Sequence, residues 1–257
     1  MEFIAELNIR TNDPKVAGAE IRKALENSKV VHIKSGWHIS NLREHYDVIT
    51  EEVGKCIMIG EDFTVGGKQT GEKWIEIRYD NDIPDIAAYR HSKNAQPLHT
   101  DESYIEDFAD IMFFYCINKA EIGGATTFVD GPVLIDFMRK TNPDLLNKLV
   151  GHDIKYKKAD EERVSPIIWF DKNNIPRFNF NYYCIDHEET VENKALNKEF
   201  FDFLQNYVVG TYMIKEICLN PGDAVAWWDD AVLHGRTAFS ANKTNDRFIW
   251  KAGIKFT

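Results

Sequence analysis

The chain has 257 residues, 44% of them hydrophobic and 12% aromatic, which is enough for one sizeable core and too apolar for wholesale disorder. Its 41 acidic and 31 basic residues leave a net charge of −10, so the surface as a whole repels phosphate backbones and anionic membranes, and no nucleic-acid partner is expected. The longest apolar run, Ile111 to Ile117, falls far short of the ~20 residues that span a bilayer.

The first residues, Met1-Glu2-Phe3-Ile4, have neither the basic flank nor the apolar stretch of a secretion signal. A cytoplasmic protein is expected. Asp13-Pro14 then supplies a cap and a first-turn proline for a helix whose apolar face carries Ala17, Ile21, Ala24 and Leu25. Val30 to Ile33 reads as a strand. A second helical stripe, Leu42, Tyr46, Ile49 and Val53, follows a Ser40 cap. From Trp74 strand signals dominate: Trp74 to Tyr79, Ile111 to Ile117, Thr126 to Val129, Ile154 to Lys157, and Ile167 to Phe170 paired across a turn with Phe178 to Phe180. One more helix, striped by Leu196, Phe200, Phe203 and Tyr207, interrupts them. Met213 to Leu219, a Pro221-Gly222-Asp223 turn, Ala224 to Trp228, Ala231 to His234 and Phe248 to Phe256 complete the pattern. Many short strands with helices at the front imply a mainly β protein, a double-stranded β-helix or jelly roll with flanking N-terminal and inserted helices. With no repeat or linker, residues 1–257 are expected to form one domain. The four cysteines form no CxxC pair and are expected to be free thiols, with Cys116 and Cys218 buried as small hydrophobes in apolar strands.

Chemistry enters at His99-Thr100-Asp101. Residues i and i+2 of a strand face the same way, so an imidazole and a carboxylate can meet one ion. His234, near the end of a late strand, is the best third ligand. Two histidines and a carboxylate leave coordination positions open, as non-haem iron(II) oxygenases require. Zinc accepts the same donors, and a polar strand end is the bland alternative for a His-x-Asp alone. The Trp227-Trp228 pair reads as core packing, since alternation turns only one of the two toward a cavity. The other six histidines, His32, His38, His45, His91, His152 and His187, have no partner at ligand spacing.

Taken in order, His99-x-Asp101, Gly123-Gly124-Ala125-Thr126, His234-Gly235-Arg236-Thr237-Ala238-Phe239 and Asp246-Arg247-Phe248 resemble the taurine dioxygenase-like family of iron(II)/2-oxoglutarate enzymes, and more particularly its amino-acid hydroxylase branch. The resemblance implies that His99, Asp101 and His234 hold Fe(II), and that Arg247 forks onto the far carboxylate of 2-oxoglutarate with Thr126 hydrogen-bonded to it. It implies O2 as the second cosubstrate and succinate and CO2 as products, with oxidation rather than halogenation because Asp101 supplies a carboxylate where family halogenases have a small residue. The stretch between Thr126 and His234 is short for the family, which implies a site with few accessory elements.

For the substrate, Glu102 and Tyr104 follow the metal aspartate toward the pocket mouth, and Arg78, Arg90 and Arg236 are candidates for a substrate carboxylate. An acid beside an arginine suits a small free amino acid, a basic one such as lysine above a neutral one. A sulfonate would need mainly the arginine. A zinc or manganese cupin-like enzyme would have no use for Thr126 and Arg247, and a metal-free sugar-binding jelly roll would make the triad coincidental. The expected partner is a small molecule, and the sequence is compatible with a homo-oligomer.

Overall fold

Both odd and even positions of Ile111 to Ile117 are apolar, so this strand must be covered on both faces. The computed structural model, which describes residues 1–37, 39–58, 61–62, 68–69, 71–83 and 89–257, meets that demand with layers. His38 lies outside the described residues. In chain order the elements are β1 (Glu2–Asn8), α1 (Pro14–Leu25), β2 (Ser28–Lys34), α2 (Leu42–Val53), β3 (Lys55–Cys56), β4 (Glu61–Asp62), β5 (Lys68–Gln69), β6 (Ile75–Arg78), β7 (Gln96–His99), β8 (Ile111–Asn118) and β9 (Thr126–Asp130). Then follow α3 (Gly131–Thr141), α4 (Pro143–Gly151), β10 (Asp153–Lys158), β11 (Glu161–Pro166), β12 (Ile168–Phe170), β13 (Pro176–Phe178), α5 (Val191–Tyr207), β14 (Lys215–Ile217), β15 (Ala224–Trp228), β16 (Val232–Arg236) and β17 (Phe248–Lys255).

Two sheets build the jelly roll. The major sheet runs β1-β2-β15-β8-β17-β3, with β6 also on β17, and the minor sheet runs β14-β9-β16-β7. Every pairing in them is antiparallel except β1 with β2. Between the sheets lie Met112, Phe114, Cys116, Phe128, Val225, Trp227, Val232 and Ile249, contributed by both. The alternate residues of the major sheet, Phe113, Tyr115, Ala224 and Ala226, face outward and are covered by Ala17, Ile21 and Leu25 of α1 and Tyr46, Ile49 and Val53 of α2. The back of the minor sheet, through Leu98, Val129 and Leu233, packs on α3, α4 and α5. This alternation fixes the site: if Leu98 and Leu233 point outward, their neighbours His99 and His234 point between the sheets.

The expected helices and most strands form, with differences that have physical causes. The cap of α2 is Asn41, whose side chain accepts from Glu44 N, and not Ser40. The strand at Met213–Leu219 shrinks to Lys215–Ile217, and the one at Ala231–His234 becomes Val232–Arg236 because Asp229–Ala231 form a 3-10 turn. The hairpin pairs Ile168 with Phe178, leaving Phe180 free to bond Thr100. Tyr207 is exposed at the end of α5, where Leu204 takes its expected place in the core. Cys116 is buried, but Cys218 lies past the end of β14 and is exposed. The stretch between Thr126 and His234 is not poor in accessory elements: it holds α3 and α4, neither expected, besides two hairpins and α5.

Candidate metal centre and cosubstrate pocket

The strand register makes the first convergence. His99 on β7 and His234 on β16 are paired residues in adjacent strands, and their rings lie 4.2 Å apart between centroids. Asp101, two residues beyond His99, stands with Oδ1 3.7 Å from His99 Nε2 and Oδ2 3.4 Å from His234 Nε2. One donor atom from each of the three lies within 4.8 Å of the other two.

The surroundings select which nitrogens face this point. His99 Nδ1 lies 2.8 Å from the Pro97 carbonyl, to which it donates, so Nε2 carries the lone pair. The Gln96 amide donates to that lone pair at 3.0 Å. His234 Nδ1 stands 3.3 Å from Asp229 Oδ1, whose carboxylate is buried and also accepts from Trp227 Nε1 at 3.1 Å. A carboxylate behind an imidazole is the usual device for aiming a metal-binding ring. Trp227 packs against His234 itself, with centroids 4.8 Å apart. Burial pushes the His99 ring below its ordinary value, as does neighbouring His234. Burial would push His234 down too, but Asp101 and Asp229 draw it up to about 9. Asp101, which burial would raise, is held well below the carboxylate range by the Lys251 ammonium at 2.9 Å and by His234. Two inward imidazole nitrogens and an ionised carboxylate form a donor set that fits a divalent transition metal.

Thr126 and Arg247 converge at a second point. Both are buried and both line one cavity, with Gly124, Ile249, Cys116 and Cys218 around them. The Arg247 stem lies across Gly124: its Nε donates to the Gly124 carbonyl at 3.1 Å, and a Cβ at Gly124 would stand 3.0 Å from both Cδ and Nε. With φ at +76° as well, that position demands glycine. The guanidinium has no carboxylate partner among the described residues, and burial pushes its pKa down to about 10. An unpaired buried guanidinium beside a hydroxyl is a receptor for an anion.

The residues expected to meet the substrate are each engaged with other groups of the protein. Arg78, on β6, is neutralised by Glu76 Oε2 at 2.7 Å and Asp80 Oδ2 at 3.0 Å. Arg236 shares the inner face of β16 with His234, but donates to the carbonyls of Ser92 and Asn94 at 2.9 and 2.7 Å and packs over the Phe239 ring. Arg90 Nε donates to His91 Nε2 at 3.3 Å. Glu102 is buried with φ at 53°, and its Oε2 accepts from Ala109 N at 2.8 Å; burial raises its pKa to about 7. Tyr104 is buried in the core shared with the inserted helices, under the Lys158 ammonium. Asp229 and Lys251 escaped the sequence reading. Asp229 offered one signal, an acid directly before the strand of His234, and Lys251 offered another, a lysine four residues beyond Arg247 on a strand.

The family model for the taurine catabolism dioxygenase TauD, TfdA family matches residues 3–252. Human gamma-butyrobetaine dioxygenase is 26% identical over 166 residues, covering 59% of this chain and 42% of that protein, so the match spans less than half of the relative's length. Among solved structures, an asparagine oxygenase in complex with Fe(II), a hydroxyasparagine and succinate superposes with a TM-score of 0.71 at 10% identity, covering 98% of this chain and 93% of that one. The non-heme iron oxygenase OrfP in complex with Fe and alpha-ketoglutaric acid gives 0.69 at 12% identity, covering 99% and 94%. At such identities these two speak for a shared fold, while the family match spans His99, Asp101, Thr126, His234 and Arg247. The chain belongs to the taurine catabolism dioxygenase TauD, TfdA family.

Proposed function

We propose that the protein is an iron(II)- and 2-oxoglutarate-dependent oxygenase of a small amino-acid-like molecule. The observation that carries this reading is the presence, inside one jelly roll, of a buried His-Asp-His convergence and a separate buried guanidinium with no anion of its own. His99, Asp101 and His234 would hold the iron. Bound iron, with 2-oxoglutarate and O2, supplies the oxidising power and releases succinate and CO2. Arg247 and the Thr126 hydroxyl, which line one cavity, would hold the far carboxylate of the cosubstrate by charge and hydrogen bonds. Asp229 and the Pro97 carbonyl hold the two imidazoles so that Nε2 of each faces the metal. A zinc or manganese cupin-like enzyme would leave the Arg247 and Thr126 pocket without a task.

For the substrate, support comes from relatives. The asparagine oxygenase carries a hydroxyasparagine and OrfP a hydroxyarginine, and human gamma-butyrobetaine dioxygenase is named for an amino-acid-like betaine. A free amino acid, with a basic side chain favoured, agrees with this set. The test is succinate formation by the iron(II)-loaded protein with 2-oxoglutarate and O2, using lysine, ornithine, arginine, asparagine, gamma-butyrobetaine and taurine in parallel. Stimulation by one of the first five is expected. Stimulation by taurine alone would overturn the substrate assignment, and the absence of iron-dependent succinate with every compound would overturn the oxygenase assignment.

A further inference from the structure

A carboxylate-bearing substrate needs a cation to receive it, and several of the candidate cations are already engaged. Arg78 has Glu76 and Asp80, Arg177 has Asp171 and Asp230, Lys251 has Asp101, Lys255 has Asp107, and Arg236 is spent on two backbone carbonyls. Arg163, on β11, is different. Its guanidinium lies over the Phe108 ring at 4.2 Å and 5.7 Å from the Trp169 ring, and its hydrogen bond goes to a neutral partner, Asn179 Oδ1, at a long 3.4 Å. Among the described residues no carboxylate stands within ion-pairing distance of it. Glu106 and Asp230 act on it from further away, and partial burial depresses its pKa.

Its place in the fold gives this unpaired charge a meaning. Asn179 also donates to Ser165 Oγ at 2.7 Å and to the Ser103 carbonyl at 3.1 Å. The next residue, Phe180, exchanges hydrogen bonds with Thr100 in both directions, the residue between His99 and Asp101. Phe108, the platform under Arg163, belongs to the same loop, pinned at Ala109 by Glu102. The guanidinium is therefore fastened to the segment that carries the metal carboxylate, with one face on an aromatic ring and its N–H edge lacking an acidic partner. A half-buried fork of that kind is suited to a carboxylate, held by charge and by paired N–H groups.

We propose that Arg163, on its Phe108 and Trp169 platform, is the anchor for the carboxylate of the substrate. This rests on the oxygenase reading and names the group that reading leaves without a receptor. The test uses the full chain, loaded anaerobically with Fe(II) and then with 2-oxoglutarate, each uptake being measured before a third ligand is added. Calorimetric titration then compares three acids with their decarboxylated counterparts: lysine with cadaverine, arginine with agmatine, and gamma-butyrobetaine with propyltrimethylammonium. In the wild-type protein at least one acid should bind more tightly than its counterpart. That preference should fall in Arg163→Gln by about 10- to 100-fold, the loss expected for one charge-assisted contact, and Arg163→Lys should restore part of it. An undiminished preference in Arg163→Gln would overturn the proposal, as would a wild-type protein that prefers no acid over its counterpart. Failure of the wild-type chain to take up iron and 2-oxoglutarate would defeat the oxygenase reading itself.

Discussion

Replacing Arg247 with alanine should separate binding from stability. In the ligand-free protein the guanidinium is buried without a carboxylate partner among the described residues, and burial lowers its pKa to about 10, which corresponds to roughly 3 kcal/mol of unfavourable charge burial. Removing it relieves that cost while forfeiting the packing of its stem on Gly124 and Phe239, a loss of comparable size, roughly 2–4 kcal/mol. The melting temperature of the ligand-free variant should therefore stay close to that of the wild type. Binding of 2-oxoglutarate should not. Leaving one carboxylate buried without its partner costs about 2–5 kcal/mol, or roughly 30- to 4,000-fold in Kd. Anaerobic calorimetry of the iron(II)-loaded proteins measures this directly, and added 2-oxoglutarate should raise the melting temperature of the wild type but not of the variant. An unchanged Kd for 2-oxoglutarate would refute the assignment of Arg247 and turn attention to Arg236. A large fall in the stability of the ligand-free variant would refute the claim that the charge is held at a cost.

Other outcomes follow from the same geometry. His99→Ala or His234→Ala should abolish iron-dependent succinate formation while circular dichroism reports an intact barrel; full turnover by either would remove the triad. Because Asp101 and Asp229 lift His234 to about 9, this ring is protonated near pH 7 in the metal-free protein, and iron(II) must displace the proton. Calorimetry in buffers of different ionisation enthalpy should show about one proton released near pH 7 and apparent affinity rising toward pH 9; no proton release would contradict the ring's assigned state. The sign for stability is opposite, since a raised pKa stabilises the metal-free fold fully below an ordinary histidine pKa of ~6.5, and this contribution is lost as pH rises through about 9. Gly124→Ala would drive a Cβ into Arg247 and should weaken 2-oxoglutarate binding while leaving iron uptake intact; simultaneous loss of both would mean that the loop supports the metal centre.

What could be read from the chain, and what could not, divides by the range of the interaction. The candidate metal residues were legible from the His-x-Asp spacing, although β7 ends at His99 and Asp101 sits in the turn beyond it rather than on the strand, and the ordered pattern through Thr126, His234 and Arg247 supplied the rest. The two-faced strands were legible because β8 and β15 have no polar side to hide. By contrast, α3 and α4 begin at Gly131-Pro132 and Asn142-Pro143, pairs that read as turns. Only the stripes Leu134, Ile135, Met138 and Leu145, Leu146, Leu149 behind them reveal helices. The state of the candidate substrate arginines was beyond reach for another reason. Whether a guanidinium is neutralised by Glu76 and Asp80, as Arg78 is, or left without an acid, as Arg163 is, depends on which elements the fold brings together. Asp229 and Lys251 matter only through His234 and Asp101, which they meet across strands and turns.

The minor sheet ends on β7, four residues long and paired only with β16 among the described strands. Its ladder shifts register between His234 and Arg236, so little backbone bonding ties this edge to the barrel. An ion shared by His99 on the rim strand and His234 on its inner neighbour would act as a clasp across that seam. The amide hydrogens of Gln96, Leu98 and His99 should then exchange by local opening in the metal-free chain, well ahead of those in β8, which is held by strands on both sides. Iron would slow the first group and leave the second untouched. Metal loading would in this sense be the final step of closing the sheet, carried out by side chains where the backbone stops.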